Sequence, residues 1–156
     1  MNKLGKIFAF LVLLPFFSGC GYTPIFSKKD VNFTFESIEF LGDKEVEEKI
    51  SRLLTIYKNR PDKENKVELV IKNQKSIVIA SKNSKGEPLT NRINIDSNVK
   101  IILADNSIVE KNFSKSTVYS IIDRKSEQES IENKLIENLS SEIATQIIFE
   151  ILKNTK

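Results

Sequence analysis

A chain of 156 residues fits a single domain. Its 40% hydrophobic and 29% charged residues exclude wholesale disorder and a multi-pass membrane protein. With no histidine, one cysteine and a formal charge of +3, histidine-based triads, imidazole proton shuttles, most zinc sites and any intramolecular disulfide are also excluded.

Lys3 and Lys6 form a short positive stretch ahead of an apolar run from Ile7 to Phe17, broken only by Pro15. Eleven residues are too few to cross roughly 30 Å of hydrocarbon as a helix, so residues 1–19 are expected to be a removable signal segment. Phe17-Ser18-Gly19-Cys20 follows, and small residues before a lone cysteine are similar to the lipobox of bacterial lipoproteins. Phe17 departs from the leucine preferred there. The resemblance implies a diacylglyceryl thioether on Cys20, then cleavage and amine acylation. Each buried methylene contributes about 0.8 kcal/mol, and one chain alone binds only marginally; three chains would hold the protein on a membrane. Gly21 stands where an acidic residue would favour inner-membrane retention, which leans toward the outer membrane. Loss of residues 1–19 takes Lys3 and Lys6 with it and leaves 22 basic against 21 acidic side chains. That balance gives no argument for nucleic acid.

Residues 20–30 are expected to be a tether and residues 31–156 one domain. Val31, Phe33 and Phe35, then Ile38 and Phe40, alternate with a phase slip between Phe35 and Ile38, which predicts a strand with a bulge. Asp43 is placed to cap a helix with the stripe Val46, Ile50, Leu53, Leu54 and Tyr57, ended by Pro61. Val67, Leu69, Ile71, Ile77 and Ile79 share one parity in a second strand. In a third, Leu89, Ile93, Ile95, Val99, Ile101 and Leu103 alternate with Thr90, Arg92, Asn94, Asp96, Asn98 and Lys100, the pattern of a strand with one wet face. Asp105-Asn106-Ser107 predicts a tight turn. In the fourth strand Val109, Phe113, Tyr119 and Ile121 share a parity. Ser126 and Glu129 read as a capping box for a last helix striped by Ile131, Leu135, Leu139, Ile143, Ile147 and Ile151, widening to Ala144, Ile148, Phe149 and Leu152. The order β-α-β-β-β-α predicts an α+β two-layer sandwich, a mostly antiparallel four-stranded sheet with both helices on one face.

Several short stretches together resemble one family. Cys20-Gly21-Tyr22-Thr23-Pro24-Ile25-Phe26 is similar to the Cys-Gly-aromatic-x-Pro-Leu-Tyr start of LPS-assembly lipoproteins of the LptE type. Asn91-Arg92 resembles that family's Thr-Arg, Leu103-Ala104-Asp105-Asn106 its Leu-x-Asp-x turn, and Ser140 to Leu152 its closing helix, with the family's alanines partly replaced. The resemblance implies a non-enzymatic outer-membrane lipoprotein, facing the periplasm or a barrel lumen. It would plug the LPS-translocating β-barrel LptD, support its assembly and assist late LPS transport.

An antiparallel meander puts the loop between its second and third strands at the same end as the exit of the fourth. That end would gather Lys82, Lys85, Arg124 and Lys125, with Arg92 nearby, a cluster able to meet lipid A phosphates through charge-assisted hydrogen bonds. Exposed loop lysines are also commonly just solvated, and Arg124 and Lys125 would stand at a helix N-terminus, where positive charge is mildly unfavourable. The wet strand face reads either as solvated sheet or as a contact with a polar barrel interior. No catalytic residue, no metal and no cofactor beyond the lipid on Cys20 is expected. The alternative role is a periplasmic auxiliary lipoprotein of another envelope transporter or of cell-wall synthesis.

Overall fold

The computed structural model describes residues 31–155. The signal segment, the tether and Cys20 lie outside the described residues. The described chain runs β1 (Phe33–Gly42), α1 (Lys44–Leu54), a 3-10 turn (Thr55–Tyr57), β2 (Asn65–Lys82), β3 (Pro88–Ile102), β4 (Ile108–Ser120) and α2 (Lys125–Asn154). The strands form one mixed sheet in the order β1-β2-β3-β4. β2, β3 and β4 pair antiparallel through short turns, whereas β1 pairs parallel with β2, because a helix intervenes and returns the chain to its starting end. The expected α+β order and two helices hold, as does the bulge in β1, where the register shifts between Phe35 and Ser37.

Asp43 caps α1, its Oδ1 accepting from the backbone N–H groups of Glu45 and Val46 at 3.1 and 3.0 Å. The helix is shorter than its apolar stripe. It ends at Leu54 and tightens into the 3-10 turn, well before Pro61. Val46, Ile50, Leu54 and Tyr57 are buried and Leu53 is not. At the start of β1, Phe33 and Phe35 pack against Tyr57, with ring centroids 5.7 and 6.4 Å away. The Thr34 hydroxyl donates to the Tyr57 carbonyl at 3.1 Å.

The capping box at Ser126 is overturned. α2 starts at Lys125, its N-cap is Arg124, and no side chain caps it. Gln128 does a related job one turn in, its Oε1 accepting from the Ile122 N–H at 3.0 Å. The helix then runs antiparallel along β4, with Lys115 bridged to Glu142 at 2.9 Å and Lys111 to Glu150 at 3.5 Å. Leu139, Ile143, Ala144, Ile147, Ile148 and Ile151 are buried as expected, joined by Ile136, while Phe149 is exposed. Among the described residues no helix is long and apolar enough to cross a membrane.

The core lies between the helices and the odd-numbered face of β3, where Ile93, Ile95, Val99 and Ile101 are buried. Across the sheet Leu69 and Val109 flank Ile101, and Ile71 flanks Val99. The polar face of β3 points the other way, bordered by Gln74 and Ser76 on β2 and by Ser114 and Ser116 on β4.

Candidate functional site

At one end β2 outruns α1. α1 enters beside the middle of β2: the Asp43 N–H donates to the Asn73 carbonyl at 3.1 Å, and Lys75 is bridged to Glu45 and, at 3.8 Å, to Asp43. From there α1 returns toward Phe35, where Lys58 bridges to β1. An 11-residue helix is about 16 Å long at 1.5 Å per residue. The 18 residues of β2 span about 60 Å at 3.3 Å per residue. β2 beyond Lys75 therefore has no α1 above it, and α2 lies over β3 and β4.

This geometry corrects the expected core. Ile77, Ile79 and Leu89 share the parity of buried residues yet stand exposed, as do Ile121 and, on the opposite face, Val78 and Val118; each keeps 38–50% of its surface in solvent. The consecutive residues Ile77 to Ala80 are all exposed. Parity predicts which face a side chain takes, and it cannot say whether anything covers that face.

The five basic residues expected at this end do meet there. Lys82 pairs with Pro88 and Thr90 with Ser120, and the Ile121 N–H donates to the Leu89 carbonyl at 2.9 Å, so the β2–β3 turn and the exit of β4 adjoin. Lys82 is the last residue of β2, Lys85 lies in the turn, and Arg92 sits on the outer face between Val78 and Val118. Arg124 and Lys125 flank the start of α2, their charges facing Glu127 at 3.5 Å and Glu129 at 3.9 Å. No carboxylate of the described residues stands within salt-bridge distance (4.0 Å) of Lys82, Lys85 or Arg92. The turn is held by Asn83, whose Oδ1 accepts from the N–H groups of Lys85 and Glu87 at 2.9 and 3.0 Å. Gly86 takes the left-handed φ of 84° that it requires.

Behind the tip, Tyr119 donates to Glu132 Oε1 at 2.6 Å, and Gln128 Nε2 donates to the same oxygen at 2.9 Å. Asn91 Nδ2 donates to the Tyr119 hydroxyl at 3.4 Å. This network ties β3 and β4 to the first turns of α2 and so fixes the loop that carries Arg124. Burial pushes the Tyr119 phenol above its ordinary value, and its hydrogen bond to Glu132 adds to the shift. Among the described residues, no group of three or more acidic or thiol side chains is placed to hold a metal ion.

The fold is one found among bacterial lipoproteins. The chain is similar to rare lipoprotein B from Shewanella oneidensis, with a TM-score of 0.54 at 10% identity over 77% of this chain and 99% of that one. It is similar as well to an uncharacterized lipoprotein B from Nitrosomonas europaea, with a TM-score of 0.56 at 12% identity over 85% of this chain and 93% of that one. No protein-family model matches the sequence, and no curated protein matches it. The likeness is one of architecture, reached with almost no shared sequence.

Proposed function

We propose that this protein is an outer-membrane lipoprotein, anchored through lipid on Cys20, that binds lipopolysaccharide at the tip of its meander. In this role it supports assembly of the LptD β-barrel, occupies its lumen and assists late LPS transport. It works by binding, not by catalysis. One observation carries the reading: an uncovered apolar sheet end is rimmed by Lys82, Lys85 and Arg92, none of them ion-paired to a described carboxylate. Phosphates would meet these cations, and acyl chains would meet the apolar surface. Arg124 and Lys125 support it differently. Their two charges, partly offset by Glu127 at 3.5 Å and Glu129 at 3.9 Å, add to the positive rim from the start of α2.

The test is the full-length triple variant Lys82→Glu, Lys85→Glu and Arg92→Glu, with folding checked by circular dichroism. The control reverses Lys58, Lys66 and Lys153 at the opposite end of the sheet. Binding to purified LPS should weaken in the tip variant alone, and wild-type binding should fall with salt as the screening length shortens to about 3 Å at 1 M. Equal LPS affinity in the folded tip variant and the wild type would remove the tip from the reading. Co-purification with a large β-barrel supports the LptD role, whereas recovery with an inner-membrane ATPase complex would favour a periplasmic transporter accessory.

A further inference from the structure

β4 is an edge strand of 13 residues, Ile108–Ser120, and it pairs with β3 from end to end without a register shift. The Ile121 N–H donates to the Leu89 carbonyl and the Leu103 N–H to the Ser107 carbonyl, each at 2.9 Å. The odd-numbered residues of β4 therefore commit their backbone groups to β3, and in an antiparallel ladder the alternate residues point theirs away. The even-numbered residues from Ile108 to Ser120 present a row of N–H and C=O groups that no strand of the described residues takes up. The other edge of the sheet is guarded. β1 carries a bulge between Phe35 and Ser37, Lys58 bridges to Phe35, and the Arg60 N–H donates to the Thr34 hydroxyl at 3.0 Å. β4 has neither bulge nor proline, two usual protections of a free edge. Its two lysines, a third such protection, are drawn onto α2 by Glu150 and Glu142.

We infer that β4 pairs antiparallel with β4 of a second copy of this chain, centred on Ser114, so that two four-stranded sheets become one continuous sheet. Ser114 is the midpoint of the strand. Pairing about it sets Asn112 opposite Ser116 and Glu110 opposite Val118, and every outward N–H and C=O of the strand finds a partner. On the helix side Phe113 meets Lys115, Lys111 meets Thr117, and no like charges stand opposite each other. Sliding to the next register in either direction sets Lys111 opposite Lys115 or Lys115 opposite itself, which is destabilising. Charge thus selects the register that uses the whole strand. Neighbouring strands lie about 4.8 Å apart and α2 lies over both β3 and β4, so the two copies of α2 come to lie about 10 Å apart, at helix-packing distance. Phe149, 51% exposed, stands two turns after Glu142 on the flank that reaches toward Lys115, and it would be covered there. The pairing uses none of the basic residues of the tip, so it does not rest on the LPS reading.

Full-length lipidated protein in detergent carries the test. Ser114→Cys places a thiol on the two-fold axis. Opposed residues of this kind have Cα atoms about 5.5 Å apart, within the span of a disulfide. Ser37→Cys, exposed on β1, controls for random collision, and the unsubstituted chain reports any coupling through Cys20. Under mild oxidation Ser114→Cys should form a dimer severalfold faster than either. A mixture of Asn112→Cys and Ser116→Cys copies should couple more than either variant alone, because each faces the other. Ser114→Pro loses only an N–H that points away from β3, so it should keep the fold by circular dichroism and end the co-purification of two differently tagged copies. Its LPS affinity should match the wild type. Coupling of Ser114→Cys no faster than that of Ser37→Cys overturns the inference. So does equal coupling in the mixed and the separate Asn112→Cys and Ser116→Cys samples, which would mean contact without this register, and so does a folded Ser114→Pro chain that still pairs. The thiol comparisons decide it even where the proline variant does not fold, and each of these failures leaves the LPS-binding reading intact.

Discussion

Ile71 and Ile77 lie on the same strand, share the same parity and carry the same side chain, yet the structure assigns them very different energetic roles. Ile71 is fully buried beside Val99, whereas Ile77, beside Ile93, keeps 41% of its surface exposed. Ile71→Ala removes three methyl or methylene groups at about 0.8 kcal/mol each, about 2.4 kcal/mol of transfer free energy. The cavity left under α1 raises the cost to about 3–5 kcal/mol. Ile77→Ala removes the same groups from a site with no helix above it, and should cost about 1 kcal/mol or less. Urea unfolding followed by far-ultraviolet circular dichroism separates the two. With a slope of about 1–3 kcal/mol per molar urea, Ile71→Ala should lower the midpoint by more than about 1 M and Ile77→Ala by a fraction of that. Equal shifts would mean that α1 covers the whole of β2, and the uncovered tip would have to be abandoned.

Gly42→Ala should be severely destabilising, because Gly42 holds a φ of 98° and an added Cβ would collide with the Asn73 carbonyl. Gly86→Ala, at a φ of 84° but with open space around it, should cost only about 1 kcal/mol of left-handed strain; thermal melts of the two should differ widely. Burial raises the phenols of both Tyr57 and Tyr119 above 10.0, so the neutral forms favour the fold. That stability is whole below about pH 10 and is lost as pH climbs through the raised folded values. Tyr119→Phe should therefore flatten the alkaline limb of a stability–pH profile, and an unchanged limb would show that Tyr119 does not contribute to it. Cys20→Ala should abolish incorporation of a clickable fatty acid; equal label on variant and wild type would end the lipoprotein reading.

The local grammar of the chain was legible without its structure. Asp43 reads as an N-cap from its own side chain and the stripe that follows it. The slip between Phe35 and Ile38 reads as a bulge because alternation leaves no other way to keep both halves on one face. The meander's connectivity follows from two short turns, and with it the convergence of Lys82, Lys85, Arg92, Arg124 and Lys125. Where reading failed, a distant partner made the decision. Ser126 and Glu129 have the spacing of a capping box, but the Ile122 N–H donates to Gln128 and α2 begins earlier, at Lys125. Tyr57 belongs to the apolar stripe of α1, yet it stands in a 3-10 turn because Thr34 holds its carbonyl from β1.

What the sequence by itself determined is therefore the set of elements, their order and the face each side chain takes, all of which follow from periods of 2.0 and 3.6 and from residues acting on their own backbone. What only the tertiary structure decided is how far one layer covers the other. Period is a property of a single strand, but burial is a property of two layers, and the lengths of α1 and β2 do not match. That mismatch leaves Ile77, Ile79 and Leu89, alike in parity to Ile71 and Ile93, at the surface beside three cations unpaired with any described carboxylate. It turned an expected piece of core into the candidate site.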